Sequence, residues 1–105
     1  MYMYLQQLLL LGRATKDAEI IESKEGKKYA RFSVAVNEYM GKDKEAKTQF
    51  YNILIFNKTH EKAEVVKKGD LVMIEGRPDV DAYLSNEGEA KANLIVFTEK
   101  WKVIK

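Results

Sequence analysis

Between Thr48 and Lys58 the chain reads TQFYNILIFNK, and a strand made from it is apolar on both faces. Tyr51, Ile53 and Ile55 fall on one face. Phe50, Leu54 and Phe56, with Asn52 among them, fall on the other. A half-buried strand alternates apolar and polar residues. This segment therefore needs cover twice, once from a core and once from a subunit, another strand or a ligand. In a small barrel alternate side chains fill the interior, so one of the two sets points inward and the other does not.

The neighbouring segments supply the rest of such a barrel. YLQQLLLLGR, Tyr4 to Arg13, reads as a strand ending near Gly12. Ala18–Glu22 and Lys28–Met40 form a hairpin around SKEGKK, where Gly26 sits among charged residues between two apolar runs. In its second arm Ala30, Phe32, Val34 and Val36 alternate cleanly with Arg31, Ser33, Ala35 and Asn37. GKDKEAK is a charged loop, and the two-faced strand follows it. KTHEKAEVVKKGD predicts one short helix, with Thr59 as its N-cap, Lys67 and Lys68 in its last turn and Gly69 just past its end. DLVMIEGRP alternates again, and Pro78 ends that ladder or lies at its edge. DVDAYLSNEGEAKA reads as a long hairpin turning at NEG, and NLIVFTEKWKVIK as the final strand. The expectation is an all-β chain: a five-stranded OB-fold barrel with one short helix between strands 3 and 4. A length of 105 residues suits one domain over 1–105 and leaves no room for a second core.

Several chemistries lack their residues. With no cysteine and a single histidine, His60, disulfides, Cys-based zinc sites and His clusters are excluded. There is no phosphate-binding glycine loop, dinucleotide fingerprint or nucleophile elbow. The 16 carboxylates scatter through loops and polar faces and read as solvated acids, and His60 reads as an exposed first-turn residue. The expectation is a protein without catalytic residues, metal or cofactor. No apolar run approaches the length of a membrane helix, and the start lacks the basic region and cleavage site of a signal peptide. A cytoplasmic location is therefore expected, with no membrane partner. A net charge of +2 permits a nucleic-acid partner without requiring one.

The aromatics and cations make a more pointed pattern. Tyr39, Met40 and Tyr83 stand at the entries to the two long hairpin loops, poor positions for a barrel core. Lys42, Lys44 and Lys47 lie in the first of those loops, and with Arg13, Lys16 and Arg31 they can follow a phosphate backbone. Bases are flat ligands that stack on exposed rings, so single-stranded nucleic acid is one candidate cover for the second face of the strand.

Five blocks in register resemble the bacterial-type single-stranded-DNA-binding protein family over almost the whole chain. They include LLLLGRATKDAEI, GKKYARFSVAVNE, TQFYNILIFNK and VVKKGDLVMIEGR, the last the most specific, and Tyr83 in the last hairpin matches a family position. The resemblance implies that Phe50, Phe56 and Tyr83 stack bases, with Met40 at the family's fourth aromatic position and Tyr39 beside it. It places Asn52 where the family has a basic residue. It turns Phe50, Asn52, Leu54 and Phe56 toward DNA and Ile53 and Ile55 toward the core. It implies a homotetramer, with a homodimer as runner-up, whose interface uses Leu5, Leu8 to Leu11, Leu10 among them, and Tyr51. The implied role is sequence-independent protection of single-stranded DNA in replication, recombination and repair, at the nucleoid.

Two departures accompany the resemblance. The last hairpin, usually basic, carries Asp79, Asp81, Glu87 and Glu89 against Lys91. The family's glycine-rich linker and acidic tail, which recruit replication and repair enzymes, are not among these residues; the chain stops at Lys105. Both features also suit a tail-less OB-fold adaptor of primosome assembly, working mainly through protein contacts. An OB domain serving RNA or an oligosaccharide is a third reading.

Overall fold

The computed structural model describes residues 6–38 and 47–104. It contains six strands: β1 (Leu8–Ala14), β2 (Glu19–Glu22), β3 (Lys28–Glu38), β4 (Lys47–Ile55), β5 (Leu71–Leu84) and β6 (Ala90–Ile104). One 3₁₀ helix, Lys58–Val65, lies between β4 and β5. The strand order β1-β5-β6-β4-β3-β2, with a further β1–β3 pairing, closes five strands into a ring and leaves the short β2 outside it. β4 runs parallel to β6, and the other pairings are antiparallel. This is the expected OB-fold barrel, with β2 and β3 as the expected first hairpin.

The period-2 pattern decides what enters the barrel. Phe32 and Val34 from β3, Ile53 and Ile55 from β4, Val72 and Ile74 from β5 and Val96 from β6 are all within 1% of complete burial. Leu10 and Ala14 from β1 join them. Ala63 and Val66, from the helix and its C-terminal cap, close one end of this core.

Two glycines sit where the closure leaves no space for a side chain. A Cβ on Gly12 would stand 2.5 Å from a Val34 methyl and 2.6 Å from the Ala35 carbonyl oxygen, where β1 crosses from β5 to β3. A Cβ on Gly76 would stand 2.3 Å from the Phe97 carbonyl oxygen. Gly76 lies at a bulge: Glu75 pairs with Lys100 but Gly76 with Thr98, so Glu99 is an extra residue on β6. An extra residue reverses the alternation beyond it. Before the bulge Val96 and Thr98 are buried; after it Trp101 and Val103 pack on the core. Asn57 Nδ2 donates to the Glu99 carbonyl at 3.1 Å, satisfying an acceptor at the bulge.

Three local expectations are corrected. The helix ends at Val65 with Val66 as its cap, so Lys67, Lys68 and Gly69 belong to a separate turn, closed by Asp70 N–H to the Lys67 carbonyl at 3.0 Å. The N-cap is Asn57, whose Oδ1 accepts from Thr59 N–H at 3.0 Å; the amide side chain immediately before the helix takes the role expected of the Thr59 hydroxyl. Thr59 Oγ1 instead accepts from the Trp101 indole at 2.9 Å. His60 is half-buried, with Nδ1 donating to the Asn57 carbonyl at 2.9 Å. Pro78 takes the edge position, the second of its two expected placements. β5 continues through it to Leu84, paired with β6 throughout, while the β1 ladder on the other side stops at Gly76 among the described residues. The last hairpin is thus an outgrowth of β5 and β6, turned at Ser85–Glu89 with Gly88 at φ 82°.

Candidate nucleic-acid interface

β4 lies between β3 and β6, so its two faces meet different environments. Ile53 and Ile55 enter the barrel, while Phe50 and Phe56 are 59% and 49% exposed on the outer face. Asn52 and Leu54 lie between them, half-buried. Register extends this face across four strands. Ser33, Asn52, Ile95 and Asp79 form one row, and Arg31, Leu54, Phe97 and Arg77 the next. The face is the barrel's outside, carried on a wall whose inner side is packed, and so its side chains are held on a rigid support.

At one end of the face the rings gather. Tyr29 stacks on Phe56 with centroids 4.7 Å apart, Phe56 on Phe97 at 6.2 Å, and the Arg77 guanidinium lies 4.8 Å from the centre of the Phe97 ring. Side chains from β3, β5 and β6 thereby join Phe56, which follows the last residue of β4. Tyr29, Phe97 and Arg77 were not among the residues expected from sequence. Tyr29 did leave a signal, as the aromatic heading the otherwise polar face of β3. Phe97 left little, because its place beside Phe56 comes from a parallel pairing remote in sequence. At the other end stands Phe50. Tyr83, 44% exposed, lies further out on the hairpin, paired with Lys91. Asp79 and Asp81 separate Tyr83 from Arg77 on the same face of β5.

The cations are less uniformly available than their number suggests. Arg31 is held by Glu19 at 3.1 Å. Arg13, in register with Ala35 and through it with Phe50, donates to the Gly69 carbonyl at 3.0 Å. Lys16 and Lys47 are exposed, and neither they nor Arg77 form an ion pair among the described residues. Tyr39, Met40, Lys42, Lys44 and Leu5 lie outside the described residues.

The residues expected at a subunit interface divide between the core and the surface. Leu10 is 8% exposed and belongs to the core, and Leu8 and Tyr51 pack against that core. Alternation on β1 instead turns Leu9 and Leu11 outward, 65% and 53% exposed. They adjoin half-buried Met73 on β5, with exposed Ile104 on β6 completing an apolar patch away from the aromatic face. Over Leu8–Gly12 one edge of β1 has no strand partner among the described residues. No group of three or more His, Cys, Asp or Glu able to hold a metal occurs among them. No described helix is long and apolar enough to cross a membrane.

Comparison with known proteins matches residues 5–104 to the single-strand binding protein family. A single-stranded DNA-binding protein of Fusobacterium nucleatum is 34% identical over 96 residues, covering 88% of this chain and 62% of its own length. One from Halalkalibacterium halodurans is 34% identical over 86 residues, covering 80% and 51%. One from Thermus aquaticus is 30% identical over 87 residues, covering 83% and 33%. The chain thus spans from a third to about three fifths of these relatives. Among solved structures, the small single-stranded DNA-binding protein of Streptomyces coelicolor superposes with a TM-score of 0.80 at 16% identity, covering 97% of this chain and 96% of that one. The Plasmodium falciparum protein, solved in complex with single-stranded DNA, superposes with a TM-score of 0.73 at 23% identity, covering 99% and 96%. At these identities the two structures establish the shared fold.

Proposed function

The chain belongs to the single-strand binding protein family, and on that premise we propose that it binds single-stranded DNA without sequence preference and without catalysis. Phe50, Phe56 and Tyr83 stack bases, with Tyr39 and Met40 at the entry to the first loop. Asn52 lies between the two β4 rings and hydrogen-bonds a base or sugar. Arg13, Lys16, Arg31, Lys42, Lys44 and Lys47 hold phosphates. The observation that carries this reading is the pair of exposed rings, Phe50 on β4 and Phe56 just after it, on the side opposite the fully buried Ile53 and Ile55. Exposed phenylalanines on a packed wall are apolar surface without cover, and a base supplies that cover whatever its identity, because every base has a π-face.

The protein so read protects strands exposed in replication, recombination and repair, in the cytoplasm at the nucleoid. It assembles as a homotetramer, the free edge of β1 pairing with a second copy and the Leu9–Leu11–Met73–Ile104 patch packing between pairs. Unpaired edges and apolar patches of this kind are covered in stable proteins.

Anisotropy of labelled oligo-dT, titrated with the protein at two salt concentrations against matched duplex, tests the reading. Trp101 is a poor reporter, since its indole is bonded to Thr59 on the helix side. Salt-sensitive binding to oligo-dT with weak binding to duplex is expected. No binding to oligo-dT overturns it in favour of a protein-contact adaptor.

A further inference from the structure

Arg77 separates two grooves. One is lined by Phe56, Asn57, Arg77, Phe97, Thr98 and Glu99. The other is lined by Gln6, Arg77, Pro78, Asp79 and Val80. The guanidinium is also the end member of a continuous stack, Tyr29 on Phe56 on Phe97 on Arg77, spanning the sheet from β3 to β5. Its side chain is exposed and makes no ion pair among the described residues, whereas Arg31 in the same row is held by Glu19.

A guanidinium lying on a ring keeps its plane fixed and its N–H groups directed outward at the edges. Arg77 is exposed, and bases stack on arginine planes as they do on rings. We propose that Arg77 is a nucleotide-binding residue of this face: one base stacks on its free side while its N–H groups hold the adjoining phosphate. This rests on the reading of the protein as a binder of single-stranded DNA and adds where the strand crosses β5. Asp79, which lines the second groove, and Asp81 lie between Arg77 and Tyr83 and repel phosphate, so Arg77 is the cation that holds the strand where it crosses β5. Arg77 thereby supplies, from β5, the cation that β4 lacks at Asn52. Phe97 is its positioning residue, holding the plane at the angle a base can use.

The test is oligo-dT affinity measured over a salt series with the full chain and three variants. Arg77→Gln should bind several-fold more weakly, and its log–log salt slope should be shallower by about 0.7, the value for one phosphate contact to a single strand. Arg77→Lys should keep the slope and lose affinity, because a lysine carries the charge but not the plane. Phe97→Leu should lose affinity with the slope retained, and adding it to Arg77→Lys should cost little more. Arg77→Gln with wild-type affinity and slope overturns the proposal, and Arg77→Lys with wild-type affinity overturns the stacking role. Should Arg77→Gln fail to fold, Arg77→Lys decides alone. If the wild-type chain binds no oligo-dT, it is the DNA-binding reading itself that falls.

Discussion

Phe56 does two jobs with one ring. Stacked on Tyr29 and near Phe97 it helps order the face, and in the proposed reading its exposed half takes a base. Phe56→Ala should weaken oligo-dT binding by about 1–3 kcal/mol, read by titration. Its melting temperature should fall only modestly, because the ring lies outside the core. Unchanged affinity with normal melting would remove Phe56 from the stacking set. Gly76 is the opposite kind of residue, important for what it lacks. A methyl there meets the Phe97 backbone rather than a movable side chain. Gly76→Ala should therefore destabilise the fold by about 1–3 kcal/mol through overpacking, measured by denaturant unfolding. It should also disturb Phe97 and with it the stack. A neutral result would mean the bulge relaxes freely.

Among the elements, the β5–β6 hairpin sets an aromatic and a cation against exposed carboxylates. Its outer face offers Tyr83 and Lys91 but also Asp79 and Asp81, both exposed. Neutralising the pair, Asp79→Asn with Asp81→Asn, should tighten oligo-dT binding, with the largest gain at low salt where exposed charges are least screened. Equal affinity at all salt concentrations would show that the strand never approaches this arm. The bulge on β6 matters at the same scale. It lets one strand present Phe97 to the outer face and then, four residues later, Trp101 to the inner one. Strict alternation from Phe97 would have placed both outside.

For the molecule as a whole, the apolar surface on β1 is what a single barrel leaves uncovered. Leu9→Asp with Leu11→Asp should lower the mass found by sedimentation from that of an oligomer toward a single chain, with the circular dichroism of the barrel retained. An unchanged oligomeric mass would move the interface elsewhere. The sequence by itself determined the class of barrel, because five strands with one helix between the third and fourth and a packed interior allow few other solutions. It also determined which β4 side chains face out, once one face was assigned to the core: burying Ile53 and Ile55 forces Phe50 and Phe56 to the other side. Only the tertiary structure decided what gathers around them. Tyr29, Phe97 and Arg77 come from strands far apart in the chain and meet through a parallel pairing and a bulge that shifts register by one residue. Local pattern carries no information about such a shift. The same holds for Arg77: its charge is legible in sequence, but its place on Phe97 depends on the β5–β6 register beyond the bulge, whereas the Arg31–Glu19 pair belongs to a local hairpin.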